Sequence, residues 1–247
     1  MNPRRQQILH EMGLGPLWKL RAPPVAPAAT ELPTEATHSA AAQASADNTT
    51  STHVASIAMP MGWDELAATV AACRQCRLCE ARKQAVLGVG DRRADWLFVG
   101  EGPGAEEDER GEPFVGQAGQ LLDNMLASID LQRGRDVYIA NAVKCRPPGN
   151  RTPDHDEIAA CRPYLVQQIA LIQPKLIVAM GRPAAQTMLQ AEVKISAARG
   201  KLHDYEGIPV IVTYHPAYLL RNLPDKAKAW EDLCFMRRTM RQLKANQ

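Results

Sequence analysis

Four short runs of consecutive apolar residues punctuate the chain, at residues 96–99, 137–143, 176–180 and 208–213. Runs of this length, rich in valine and isoleucine, predict strands buried on both faces. Between them the apolar spacing changes. Leu121, Leu122, Met125, Leu126 and Ile129 recur at helical intervals, and further helices are predicted over residues 63–82, 161–172, 183–189 and 225–244. Residues 192–206 read as an exposed segment. Strands alternating with helices predict an α/β protein: three α/β/α layers around a central four-stranded, mostly parallel sheet. Such sheets bind ligands beyond the carboxyl ends of their strands. The segments just after the apolar runs are therefore where chemistry is expected.

The first 60 residues break this pattern. Residues 3–21 have the spacing of a short amphipathic helix (Ile8, Leu9, Met12, Leu14, Leu17, Trp18 and Leu20), either a terminal helix or a docking face for a protein partner. Residues 22–60 are dominated by Ala, Pro, Thr and Ser and hold too little apolar bulk to offset ordering entropy, so a disordered linker is expected. The folded domain is expected over 61–247, beginning near Trp63. A formal net charge of +2 gives the whole chain no strong basic character, so any nucleic-acid contact must come from local patches. No stretch approaches the roughly 20 apolar residues of a membrane span. The amino terminus lacks the long apolar core of a signal peptide. A cytoplasmic monomer is expected, in which the six cysteines serve as ligands or buried thiols rather than disulfides.

Candidate chemistry gathers in three places. Residues 100–122, GEGPGAEEDERGEPFVGQAGQLL, follow the first apolar run. The stretch is longer than the roughly 2–6 residues a strand-to-helix connection needs, and it carries glycines, acids and Phe114. It lacks the Gly-Lys-Ser/Thr of a Walker A loop and the G-x-G-x-x-G spacing of a dinucleotide site. Cys73 and Cys76 form a Cys-x2-Cys pair, and Cys145 and Cys161 follow singly. Four thiolates suit a tetrahedral metal or a cluster. The spacing leans away from a zinc ribbon but does not by itself choose between cluster, zinc and no metal. Cys79 and Cys234 are spare. The third place is Tyr214-His215-Pro216-Ala217-Tyr218-Leu219-Leu220-Arg221, directly after the last apolar run.

These motifs carry a resemblance. Gly100-Glu-Gly-Pro-Gly104, the Glu107-Asp108 pair, Gly111-x-Pro113-Phe114-Val115-Gly116, Asn141 four residues before Cys145, and His215 to Arg221 occur in the order found in family-4 uracil-DNA glycosylases. That family is the iron–sulfur-containing branch of its superfamily, and the similarity spans residues 63–243. A neighbouring branch links covalently to DNA through a basic loop containing a histidine. The corresponding stretch here, residues 146–153, has none.

The resemblance implies a glycosylase that flips uracil out of DNA and hydrolyses its N-glycosidic bond, with a 4Fe-4S cluster on Cys73, Cys76, Cys145 and Cys161. It implies that Phe114 stacks on the base and Asn141 reads its edge. A fixed amide matches the N3–H donor and O4 acceptor of uracil and leaves groups unpaired against cytosine. His215 is implied to donate to the uracil O2 as negative charge grows there, with backbone N–H groups of Gly100, Glu101 and Gly102 holding the base and a water. Other superfamily members carry an aspartate where Gly102 stands. Glu101 is the candidate to orient the water instead, with Asn141 or backbone carbonyls as rivals, and Glu106 is the candidate to crowd a thymine methyl group. Leu219, Leu220 and Arg221 would fill the gap left by the flipped base and pin a phosphate, one leucine as wedge and the other in the core. Lys144, Arg146, Arg151 and Arg199 would line the DNA path. Two other readings stay open: a non-catalytic DNA-binding or polymerase-associated module, and a metal-dependent nuclease using Glu106 to Asp108.

Overall fold

The computed structural model describes residues 61–245. The expected amino-terminal helix and linker lie outside the described residues. In chain order the elements are α1 (Trp63–Ala72), α2 (Leu78–Ala81), β1 (Val89–Gly90), β2 (Trp96–Gly100), α3 (Ala105–Arg110), α4 (Gln117–Ala127), β3 (Val137–Asn141), α5 (His155–Ile172), β4 (Leu176–Met180), α6 (Arg182–Leu189), α7 (Ile195–Ala198), β5 (Leu202–Tyr205), β6 (Ile208–Thr213), α8 (Pro216–Arg221) and α9 (Lys226–Ala245).

The four expected strands pair in parallel as β3-β2-β4-β6. The sheet nonetheless has six strands, in the order β1-β3-β2-β4-β6-β5, because an antiparallel strand closes each edge. β1 has only two residues, and β5 is a largely polar, exposed strand within the segment read as exposed. Neither carries an apolar run.

Alternation along the strands sorts the core into two layers. Trp96, Phe98, Val137, Ile139, Leu176, Val178 and Ile211 face α4 and α9, meeting Leu122, Leu126, Leu233 and Met236. Leu97, Val99, Tyr138, Ala140, Ile177, Ala179, Val210 and Val212 face α5 and α6, meeting Leu165, Ile169, Ala184 and Met188. Both faces are covered, which is why the central strands read as continuous apolar runs. Truncating a fully buried residue here, such as Phe98 to Ala, should cost roughly 3–5 kcal/mol.

Helix limits differ from the sequence reading in informative ways. The helix expected over 63–82 breaks after Ala72, freeing Cys73 to Arg77 to form a loop. α5 starts at His155 rather than Cys161, because Asp154 and Glu157 form a capping pair in which the Glu157 carboxylate accepts from the Asp154 N–H at 2.8 Å. The loop after β2 is not structureless, since α3 occupies its acidic part. A third, smaller apolar cluster packs Leu66 and Val70 of α1 against Leu78, Val143, Cys145, Cys161 and Tyr164. Among the described residues no helix is long and apolar enough to cross a membrane.

Candidate active site

The carboxyl ends of β2, β3, β4 and β6 open into one cavity of about 800 Å³. Glu101 to Gly104 enter it after β2, Asn141 ends β3, Gly181 to Pro183 follow β4, and Tyr214, His215, Ala217, Tyr218 and Arg221 follow β6. Phe114, Glu107, Arg151 and Thr152 complete the wall. Phe114, Asn141 and His215, from three distant parts of the sequence, therefore meet in one place.

Their geometry is tight. The Phe114 and His215 rings lie 5.4 Å apart, tilted by 30°. Gly100 fits beneath Phe114 because it has no side chain: a Cβ there would stand 2.5 Å from Phe114 Cζ and 2.4 Å from Asn141 Oδ1. Asn141 is buried, and its Oδ1 has no partner among the described residues. A buried acceptor without a partner costs roughly 1–3 kcal/mol unless a ligand supplies the donor.

His215 caps α8. Its Nδ1 accepts from the Ala217 N–H at 3.2 Å. The neutral ring therefore carries its proton on Nε2, and that nitrogen has no partner among the described residues. Burial is the main cause that lowers its pKa to about 4; Arg221 acts in the same direction and Glu107 opposes both. At neutral pH the ring is an uncharged donor facing the cavity.

Glu101 is half-buried, and burial raises its pKa against the opposing effects of Thr152, Arg182 and Arg221. At Gly102 a Cβ would lie 2.7 Å from Val143 Cγ2, so a side chain there would require Val143 to shift. Glu106 needs correcting. Its side chain is exposed and faces Arg110 at 4.0 Å, outside the cavity. The carboxylate that lines the cavity belongs to Glu107, whose Oε1 accepts from the N–H groups of Val115 (2.9 Å) and Gly116 (3.2 Å) and whose Oε2 accepts from Gly104 (3.1 Å). Helical geometry turns adjacent residues about 100° apart, so the acidic run points one carboxylate inward and its neighbour out. Asp108 is buried and accepts from the Lys83 N–H at 2.9 Å. Glu106 and Asp108 therefore do not share a site, which removes the nuclease arrangement.

Lys144 also needs correcting. It is almost wholly buried, its ammonium donating to the Asn141 carbonyl at 2.8 Å and to Gln168 Oε1 at 2.5 Å. Burial lowers its pKa to about 8, and it faces no DNA path. Arg199 is likewise turned inward, pairing with Asp232 and Glu231. Arg151 reaches the cavity wall while held by Glu157. Arg146 is half-buried and bonds Asn150. Arg182, which the sequence reading missed, lines the cavity and is exposed. Its signal was its place, directly after Gly181 at the end of a buried strand. The two leucines divide: Leu219 is in the core and Leu220 is 38% exposed.

Cys73, Cys76, Cys145 and Cys161 line a second, smaller cavity, and Cys79 joins them. Among the described residues no three potential ligands close on a single ion, while the sulfurs share one space. Two donors already face them: the Lys144 N–H reaches Cys161 Sγ at 3.2 Å and Arg82 Nη1 reaches Cys145 Sγ at 2.8 Å. Burial pushes the Cys161 thiol up to about 12, so a thiolate there needs a positive guest. Sulfurs sharing one cavity suit a thiolate-bound metal group.

The family model for the uracil DNA glycosylase superfamily matches residues 87–234. A type-4 uracil-DNA glycosylase of Archaeoglobus fulgidus is 46% identical over 165 residues, 64% of this chain and 82% of the relative. One from Thermotoga maritima is 48% identical over 158 residues, 63% of this chain and 82% of the relative. A type-5 uracil-DNA glycosylase of Pyrobaculum aerophilum is more distant, at 32% over 146 residues, 53% of this chain and 64% of the relative. With the family model covering more than half its length and type-4 enzymes aligned along most of theirs, the chain belongs to the uracil DNA glycosylase superfamily, in its type-4 branch.

Proposed function

We propose that the protein excises uracil from DNA by hydrolysing the N-glycosidic bond, leaving an abasic site for repair. The observation that carries this reading is the convergence of Phe114, Asn141 and His215 on one cavity, with two of the three presenting unpartnered polar atoms. A module that only bound DNA would gain nothing from a buried amide oxygen and a buried imidazole N–H left unpaired.

In this reading the flipped base lies against Phe114. Asn141 Oδ1 accepts from uracil N3–H while its amide donates to O4. Cytosine presents the opposite pattern and leaves both groups unpaired. As the bond breaks, negative charge grows on the base, and the neutral His215 donates from Nε2 to O2. Because its Nδ1 is tied to the Ala217 N–H, the ring cannot turn away. Glu101 is the group we assign to the attacking water, since it lines the cavity and glycine at 102 supplies no carboxylate. Glu107 takes the place first given to Glu106, as the carboxylate available to exclude a 5-methyl group. Leu220 is the wedge, and Arg221, Arg151 and Arg182 meet phosphates.

Cys73, Cys76, Cys145 and Cys161 would hold a 4Fe-4S cluster, which when bound ties the segment before α2 to the segments flanking Asn141 as a structural staple. The amino-terminal 60 residues are read as an appendage for a protein partner.

The test is release of free uracil from an oligonucleotide with a single uracil, in chelator, for the wild type and for Asn141→Ala and His215→Ala. Release by the wild type and losses of roughly 10²-fold or more in each variant support the reading. Wild-type binding without release would favour the non-catalytic module.

A further inference from the structure

Phe114 is an anomaly that the pocket does not explain. It is a bulky, non-glycine residue held at φ 57°, in the left-handed region that side chains such as phenylalanine avoid. Left alone, this backbone would relax and carry the ring away from His215.

Arg133, nineteen residues on and outside the cavity wall, holds it. Its Nη1 donates to the Pro113 carbonyl and its Nη2 to the Phe114 carbonyl, each at 2.8 Å. The guanidinium fork thus grips two consecutive carbonyls around the strained residue. Asp123 of α4 holds the fork, accepting from Arg133 Nε at 3.0 Å. From the other side, Glu107 takes the next two N–H groups, Val115 and Gly116. α4 presses on the same carbonyl: a Cβ at Gly119 would lie 1.7 Å from Phe114 O, so only glycine allows the helix this close. Both carbonyls and both amides around Phe114 are therefore fixed by side chains, none of which belongs to a regular ladder.

We propose that Arg133 is a positioning residue for base recognition: it locks Phe114 in the left-handed conformation that sets the ring beside His215, and so builds the face on which the uracil stacks. The inference rests on the glycosylase reading for its substrate, but not for its geometry.

The test uses the whole protein. The imidazole protons of His215, assigned by NMR, should be shifted by the Phe114 ring current, with Phe114→Ala marking the unshifted position. Arg133→Gln should move these signals toward the Phe114→Ala position. It should also weaken binding of free uracil and lower kcat/KM for uracil release about tenfold or more. In a Phe114→Ala background the same substitution should cost less than about twofold, because the ring it positions is gone. Arg133→Lys, with one point donor in place of a fork, should fall between. If Arg133→Gln leaves the His215 signals in place, or costs as much with Phe114 absent as with it present, the proposal is wrong. If Arg133→Gln does not fold, Arg133→Lys decides by the same signals, and signals that stay at their wild-type positions overturn the proposal. Should the wild type release no uracil, the glycosylase reading fails, while the His215 signals still decide whether Arg133 holds Phe114.

Discussion

His215 shows how one side chain couples chemistry to stability. Its imidazole is held neutral by burial, with its pKa lowered to about 4. The unfolded chain, with an ordinary histidine near pH 6.5, binds the proton more readily. The stabilisation is therefore complete above about pH 6.5 and is lost as pH falls toward 4, with a ceiling of about 3 kcal/mol. Urea denaturation at pH 7 and pH 4.5 should show the wild type losing stability across this window. His215→Asn, which keeps a side-chain acceptor for the Ala217 N–H, should lose less over the same interval. Equal losses in both proteins would mean that other groups carry the acid sensitivity. At Asn141 a prediction of another kind applies. Asn141→Asp replaces the amide donor with a second acceptor, so uracil release should drop by roughly 10²-fold, measured at saturating substrate. Stability should change less, because the Lys144 ammonium bonds the main-chain carbonyl rather than the side chain.

At the scale of elements, the end of β6 depends on a support from α9. Asp232 is buried at 1% exposure, accepts from Thr213 Oγ1 at 2.8 Å, and pairs with Arg199, whose guanidinium also stands 5.9 Å over the Tyr214 ring. Thr213 and Tyr214 lead directly into His215. Asp232→Ala leaves the buried Thr213 hydroxyl without its acceptor and Arg199 with Glu231 as its remaining carboxylate partner. It should cost about 1–3 kcal/mol, seen as a lower urea midpoint at an unchanged slope. None of this was legible in the chain: Arg199 and Asp232 are 33 residues apart, and a lone arginine in a polar segment reads as a surface cation. Lys144 misled for the same reason, since nothing local says that Gln168 waits behind it. The legible features were those with a local cause. Apolar runs marked the four central strands, because burial on both faces leaves polar residues only at the strand ends, Asn141 and Thr213. The residues just after those runs marked the cavity, because strand ends in a parallel sheet converge on one rim. Edge strands β1 and β5 lacked that signature, and the left-handed Phe114 has none in sequence at all.

For the whole molecule the question is how a chain with a formal charge of only +2 holds a polyanion. The described structure gives a local answer: Arg151, Arg182 and Arg221 share the wall of the cavity, while Arg199 and Lys144 are spent inside the protein. Three guanidinium groups thus stand where the flipped base would enter. Three phosphate contacts would make affinity for duplex DNA fall with salt at a log–log slope of about −2.7. Arg182 is the cleanest probe, because its guanidinium has no ion-pair partner among the described residues, whereas Arg151 is held by Glu157. Arg182→Gln should weaken binding of uracil-free and uracil-containing duplexes alike and reduce the slope by about one, measured by fluorescence anisotropy between low and moderate salt. It should leave the ratio of uracil to cytosine release unchanged, since that ratio belongs to Asn141. A changed ratio with an unchanged slope would place Arg182 with the base rather than the backbone. The cysteine cavity enters at the same scale. The apolar cluster around it packs α1 against Val143 and Cys145, just after Asn141, and against α5, so with the proposed cluster in place Cys145→Ala should lower iron content, lower the thermal midpoint and weaken DNA binding and uracil release together. Loss of iron with stability and DNA affinity intact would show that the sulfurs hold their guest for some purpose other than the architecture of the site.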